Sequence, residues 1–291
     1  MNLDYPGKLI SFNGFGPDSY ISTGTTGPDD PAFTKRILCE GDSWFSIGAL
    51  PSGNLLEPLR FAQPTLLVNL AMPGDTIKHM SIICSNPVLK QLVAERNFET
   101  KWDAIFISGG GNDLIDAADQ IICKPSVSAG KHMLDYVNGI ELANFKLAVQ
   151  QGYRRIAKLR DAGINSTTPI VTHVYDYPTP RNAKSKFLGL KVLGPWLYLA
   201  FNNDEVPEES WISVTDYIFE ALGAALIELS YEIDNFYVIS ATREVLTRAR
   251  LGTTEADGDW LNEIHPTSTG YAKLGQVVSS ELYHLLNPLN P

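Results

Sequence analysis

The chain has 291 residues, 44% of them hydrophobic and 19% charged, and its formal net charge is −10. That length suits one large domain or two small ones with a sizeable core. The acidic balance argues against a nucleic-acid binder, which needs a basic face, and against docking on anionic membranes.

Residues 1 to about 35 are rich in Gly, Pro, Ser and Thr, as in Gly14-Phe15-Gly16-Pro17 and Gly24-Thr25-Thr26-Gly27-Pro28. They read as an irregular N-terminal arm. Tyr5, Phe12, Phe15 and Tyr20 suggest that it packs on the domain that follows, residues 36–291.

Five apolar runs in that domain read as strands: Arg36 to Glu40, Thr65 to Leu70, Ala104 to Ser108, Pro169 to Tyr175 and Phe236 to Ser240. They are continuous rather than alternating, as in a parallel sheet buried on both faces. Helical periodicity fills the gaps. Thr76 to about Glu95 is helical with a break at Pro87, and Glu141 to Ala162 is a helix ended by Gly163. Trp211 to about Ile233 is a third helix with Ser210 as its cap, and Thr267 to Leu286 is the last, with Asn287 and Pro288 just past it. Strands alternating with helices predict an α/β fold, a three-layer α/β/α sandwich on a flavodoxin-like, five-stranded parallel sheet. Residues from about 177 to 209 interrupt the alternation with an apolar insertion, Phe187 to Phe201, that either walls the site or is a further buried helix.

Four short segments carry groups suited to acyl transfer. Gly41-Asp42-Ser43 ends the first strand and offers a hydroxyl nucleophile, with Gly41 allowing a sharp turn. Pro73-Gly74-Asp75 offers an unobstructed backbone N–H, and Gly110-Gly111-Asn112-Asp113 a side-chain amide; both are suited to an oxyanion. Glu263-Ile264-His265-Pro266 offers a base, with Pro266 in the first turn of the last helix. Ligands of open α/β sheets bind beyond the carboxyl ends of the strands. Ser43, Gly74 and Asn112 follow the first three strands and His265 follows the fifth, so all four fall on one rim. Asp75, Asp113 and Asn69 are suited to bracing the loops. Trp44 and Phe45 would line a pocket or pack in the core. His173 reads as a hydrogen-bonded core or rim histidine, with Tyr175 and Asp176 nearer the rim.

The ordered set resembles the SGNH hydrolases, or GDSL-type esterases, from about Arg36 to about Leu286. The family's Ser, Gly, Asn and His fall on Ser43, Gly74, Asn112 and His265. The family's usual Asp, three residues before the His, is here Asn262. Asn262, through its amide oxygen, is the first candidate to orient His265; Asp259, Glu263 or a backbone carbonyl are the others. The resemblance implies a serine esterase acting on small carboxylic esters, short acyl groups above all. Carbohydrate deacetylation and thioester hydrolysis are alternatives within that chemistry. A weak or inactive ligand-binding protein on the same scaffold, or one acting through its N-terminal arm, is an alternative outside it.

No cofactor is called for. The triple glycine 109–111 lacks the Lys-Ser/Thr of a phosphate loop and the spacing of a dinucleotide site. Cys39, Cys84 and Cys123 show neither a disulfide framework nor a metal spacing, and His79, His132 and His284 show no metal spacing either. No uninterrupted apolar run of about 18 residues occurs, so no membrane span is expected. Met1 to Pro6 lacks the basic and apolar regions of a secretory signal. A cytoplasmic location is the expectation, with signal-free export left open.

Overall fold

The apolar runs do form strands, and every neighbouring pair in the main sheet is parallel. The computed structural model describes residues 2–12, 20–21, 24–46, 53–95, 101–125, 132–187 and 190–287. Of the positions singled out above, Met1, Gly14 to Pro17, Leu188, Gly189 and Pro288 lie outside the described residues.

The strands of the main sheet are β1 (Lys8–Ser11), β2 (Lys35–Gly41), β3 (Thr65–Asn69), β4 (Ala104–Ser108), β5 (Ile170–His173) and β6 (Phe236–Ile239). Their spatial order is β6-β5-β4-β2-β3-β1. All pairings are parallel, with Leu38 opposite Val68 on one side and Ile105 on the other. The sheet thus has six strands, not five. The sixth is β1, contributed by the arm that the composition marks as irregular. Lys8-Leu9-Ile10-Ser11 is short, half polar and only partly buried, as an edge strand can be. The central strands β3, β4 and β5 are buried along their whole length. β6, at the opposite edge, exposes Tyr237.

The helices are α1 (Ile77–Met80), α2 (Pro87–Ala94), α3 (Gly111–Ile121), α4 (Gly139–Asp161), α5 (Leu197–Asn203), α6 (Glu208–Ser230) and α7 (Ser268–Leu286). α4 packs against α1, α2, α3 and α6, and α7 packs against Arg60–Phe61 and the turn Ser240–Thr242. The result is the α/β/α sandwich. Pro87 does not break a helix but opens one, at its first position after the Asn86 cap. A missing N–H costs nothing there. Ser210 is not a cap. It lies inside α6, which starts after Pro207 with Glu208 and Glu209 in its first turn, where carboxylates suit the helix dipole. Pro266 precedes the last helix, whose cap is Thr267. His265 therefore stands two residues before that cap.

Without β1, the order β3-β2-β4-β5-β6 reverses between β2 and β4. Chain connections leave the sheet in opposite directions there, which opens a crevice at the strands' carboxyl ends. Gly41 ends β2 and Ser108 ends β4, paired with each other across that point.

Candidate active site

Gly41 owes its place to closeness rather than to a turn. A Cβ on it would lie 2.9 Å from both the Ser108 Cβ and the Ser108 carbonyl oxygen. The chain then turns at Asp42, whose carbonyl accepts from the Phe45 and Ser46 N–H groups and whose carboxylate accepts from the Trp44 N–H at 2.9 Å. The turn presents Ser43 at the crevice. Phe45 packs inward on Phe106, ring centroids 4.6 Å apart, and Trp44 lines the cleft.

The Ser43 Oγ lies 2.7 Å from the His265 Nε2. On the other side of the ring, the His265 Nδ1 lies 3.1 Å from the Asn262 Oδ1. The same oxygen accepts from the Ile264 N–H at 3.0 Å and the His265 N–H at 2.9 Å. Two backbone donors can only face an oxygen, so they settle which way the amide points. The Nδ1 must then carry the ring hydrogen, which leaves Nε2 as an acceptor for the Ser43 hydroxyl. His265 is buried, and burial pushes its pKa down to about 4.

The two other acids near His265 are engaged elsewhere. Asp259 accepts from the Thr247 N–H and Lys273 Nζ, both at 2.6 Å. Glu263, fully buried, accepts from four backbone N–H groups: Arg181 at 3.1 Å, Leu197 at 3.0 Å, Tyr198 at 2.7 Å, and Trp196. Three of these open α5, so the carboxylate docks the insertion onto the histidine loop. Burial lifts the Glu263 pKa to about 7. The Trp196 ring then stands edge-on to the His265 ring, 5.9 Å away.

Asn112 sits in the first turn of α3 and lines the same cleft as Ser43. One amide hydrogen goes to the Asp75 carbonyl at 2.9 Å. That bond ties the Gly74 turn to α3. The second amide hydrogen has no partner among the described residues, and neither do the N–H groups of Ser43 and Gly74. Gly74 is exposed and has a φ of +80°, which a side chain would strain even though nothing stands within 4 Å of a Cβ there. It does not line the Ser43 cleft itself. Asp75, Asp113 and Asn69 brace the loops, accepting from Thr76, Ile77 and Ala71 N–H groups respectively.

The cleft is narrow, with about 20 Å³ of free volume, and apolar side chains of Ile115, Phe219, Trp260 and Ile264 wall it around Ser43. Among the described residues, no group of three or more His, Cys, Asp or Glu could hold a metal ion. No helix among them is long and apolar enough to cross a membrane.

Composition and spacing did not reveal Arg181. It is buried, and its guanidinium donates to the Asn262 carbonyl at 2.6 Å, the Trp260 carbonyl at 3.3 Å and the Thr253 hydroxyl at 3.2 Å, and also to the Glu255 carbonyl. It thus holds the backbone of the loop that carries Asn262 and His265. Arg181→Ala would take from the buried Asn262 carbonyl its guanidinium donor, a cost of about 1–3 kcal/mol, and would loosen the loop the guanidinium spans. Urea unfolding should show a loss of about 3 kcal/mol, with a fall in any activity that depends on His265.

No family model and no curated protein matches the sequence. Among solved structures, the chain is similar to a possible lipase from Chitinophaga pinensis: 12% identity over 85% of this chain and 97% of that one, TM-score 0.49. It is also similar to an acetylxylan esterase from Geobacillus stearothermophilus: 16% identity over 86% of this chain and 95% of that one, TM-score 0.44. The names agree with the esterase resemblance of the sequence. At such identities the likeness carries no chemistry over to this chain.

Proposed function

We propose that the protein is a serine hydrolase of carboxylic esters, with Ser43 as nucleophile and His265 as general base. One observation carries this reading: the Ser43 Oγ stands 2.7 Å from an imidazole nitrogen whose partner nitrogen is bonded to Asn262. A serine hydroxyl becomes a nucleophile when a base takes its proton as it attacks. His265 Nε2 accepts that proton, then delivers it to the leaving alcohol, and the acyl group stays on Ser43. Water, deprotonated by the same nitrogen, releases the acid.

The oxyanion that forms at the attacked carbonyl needs donors. In this reading the Ser43 N–H and the remaining Asn112 amide hydrogen, both at the cleft and without a partner among the described residues, supply them, and the Gly74 N–H joins them only if its turn moves toward the cleft. Asn262 orients the imidazole but brings no negative charge to support the imidazolium.

The cleft leaves only about 20 Å³ of free volume beside Ser43, about one water's worth. Its apolar walls and narrowness favour short acyl groups. A panel of p-nitrophenyl esters of increasing chain length, with acetylated xylan alongside, tests this. The expected result is a kcat/KM that is highest for the acetyl to butyryl esters and falls with longer chains. No hydrolysis of any ester, together with no labelling of Ser43 by a fluorophosphonate, would favour a binding protein instead.

A further inference from the structure

Behind the nucleophile's turn runs a second set of hydrogen bonds that ester hydrolysis does not use. It joins Asp42, Ser108, His173 and Tyr175, all buried. The Tyr175 hydroxyl bonds to the Asp42 Oδ2. The Ser108 Oγ lies 2.9 Å from the Asp42 Oδ1 and 3.0 Å from the His173 Nε2. The His173 Nδ1 lies 3.1 Å from the Val174 carbonyl oxygen.

The Ser108 Oγ also lies 3.2 Å from the Tyr175 hydroxyl oxygen; both oxygens bond the same carboxylate, and this approach has no hydrogen of its own. Each of the other four contacts needs one hydrogen. The Val174 carbonyl, which also accepts from the Thr242 hydroxyl, can only accept, so the hydrogen there belongs to His173 Nδ1. The hydrogen between Tyr175 and Asp42 is the phenol's. Ser108 has a single hydroxyl hydrogen but faces two acceptors, the Asp42 carboxylate and the His173 Nε2. With Asp42 ionised and His173 neutral, only three hydrogens serve four contacts. Two buried lone pairs would then face each other at about 3 Å, and a net negative charge would stay buried without a counter-ion. Asp42 has no lysine or arginine partner among the described residues.

We propose that Asp42, Ser108 and His173 together hold one proton beyond the ionised-acid, neutral-imidazole state, and that this uncharged bridge positions the Ser43 turn. The proton resides on the Asp42 carboxyl or on His173 Nε2. In either form all four contacts are made and the unit has no net charge. Burial outweighs the hydrogen bonds that favour the charged forms, lifting Asp42 to about 6 and lowering His173 to about 4, so both ends resist charge. A hydrogen bond that exists only when the fourth hydrogen is present raises the group's hold on it further. The bridge reaches both halves of the catalytic pair. Asp42 holds the Trp44 N–H next to Ser43, and the Trp44 ring stacks on His173 at 5.6 Å while its indole N–H donates to the Ile264 carbonyl beside His265. The other ionisable groups that face Asp42 are Tyr153, Tyr175, Tyr271 and Asp113, none of them cationic. The faces of His173 meet Trp44, Phe45, Phe106 and Tyr175.

The proton count is independent of the hydrolase reading; the positioning role rests on it. The full chain, labelled with ¹⁵N-histidine and ¹³C-aspartate, tests the count at pH 7. His173→Gln and Asp42→Asn assign the signals. The expected result is either a His173 ring with both nitrogens protonated or the carbonyl stretch of a protonated Asp42. A His173 ring with only one protonated nitrogen, whichever it is, together with an ionised Asp42 would overturn the proposal. For positioning, the rate of Ser43 labelling by a fluorophosphonate is followed against pH in wild type and Ser108→Ala. Wild type should slow at alkaline pH, as the shared proton leaves and a net negative charge appears beside the oxyanion donors. Ser108→Ala should label about tenfold more slowly at pH 7 and lack that alkaline decline. Identical profiles would refute the positioning role. A wild type that never labels would instead count against the hydrolase reading, and the spectra would still decide the proton count.

Discussion

Ser43→Ala should lower kcat/KM for a p-nitrophenyl acetate-type ester by about 10⁴-fold, while leaving the unfolding midpoint almost unchanged. The substitution removes the atom that forms the acyl-enzyme, so only water held near the oxyanion donors could still attack. Residual catalysis from such donors is about 10³–10⁴ over water in serine proteases stripped of their triad. The Ser43 side chain is at the cleft, and its Oγ has the His265 nitrogen as its hydrogen-bond partner, so little packing is lost. His265→Ala should fall to a similar floor, because an unassisted hydroxyl is a poor nucleophile. The informative variant is the double one. If the two residues act as one unit, the double variant is no slower than either single variant. Additive losses, with the product of the two factors observed, would mean that Ser43 and His265 serve separate steps and that their 2.7 Å contact is not the reactive one.

Much of this arrangement is written in local pattern, and the exceptions have physical causes. Ala104 to Ile107 is apolar at every position, with Ser108 closing the run, because the strand is buried on both faces, so sequence and structure give the same bounds. Lys8 to Ser11 is as regular a strand, but an edge position tolerates lysine and serine and leaves no apolar run to detect. Ser210 has the chemistry of a cap, yet Pro207 sets the chain's entry three residues earlier. At the site, Ser43, Asn112, Asn262 and His265 follow strands or precede a helix, and the topology delivers them. Gly74 reaches only the neighbourhood, through the Asn112 bond to Asp75. Arg181 and Glu263 are charged residues that the chain buries whole. Nothing in their local sequence separates them from surface charges, because their partners are backbone groups from distant loops. His173, inside the fourth apolar run, does read as a hydrogen-bonded core or rim histidine, and it is buried and bonded, but its partner Ser108 is met only after the sheet has formed.

The sharpest departure from the usual triad is Asn262, and substitution there should move rate and pH dependence in opposite senses. In a serine protease, exchanging the triad Asp for Asn costs about 10⁴-fold because the amide favours the wrong imidazole tautomer. That penalty does not apply here. The Ile264 and His265 N–H groups hold the amide oxygen toward the ring, so the productive tautomer is kept. What is missing is charge. His265 is buried with a neutral orienter, and its pKa is pushed down to about 4. A base with so low a pKa is unprotonated at every pH above about 5, but it accepts a proton reluctantly in the transition state. Asn262→Ala removes the orienter and should lower kcat/KM by about 100-fold or more, with the acid limb of the profile unmoved. Asn262→Asp keeps the acceptor geometry and adds a carboxylate beside Nδ1–H, which favours the imidazolium and raises the His265 pKa by about 2–3. The acid limb should therefore shift upward from about 4, making this variant slower than wild type near pH 5. At pH 8, where the base is free in both proteins, it should be faster, by about threefold. The two profiles then cross between those values. A profile for Asn262→Asp that lies below wild type at every pH would show that the neutral amide is the better orienter in this pocket, with the buried Glu263 carboxylate next in sequence as the cause.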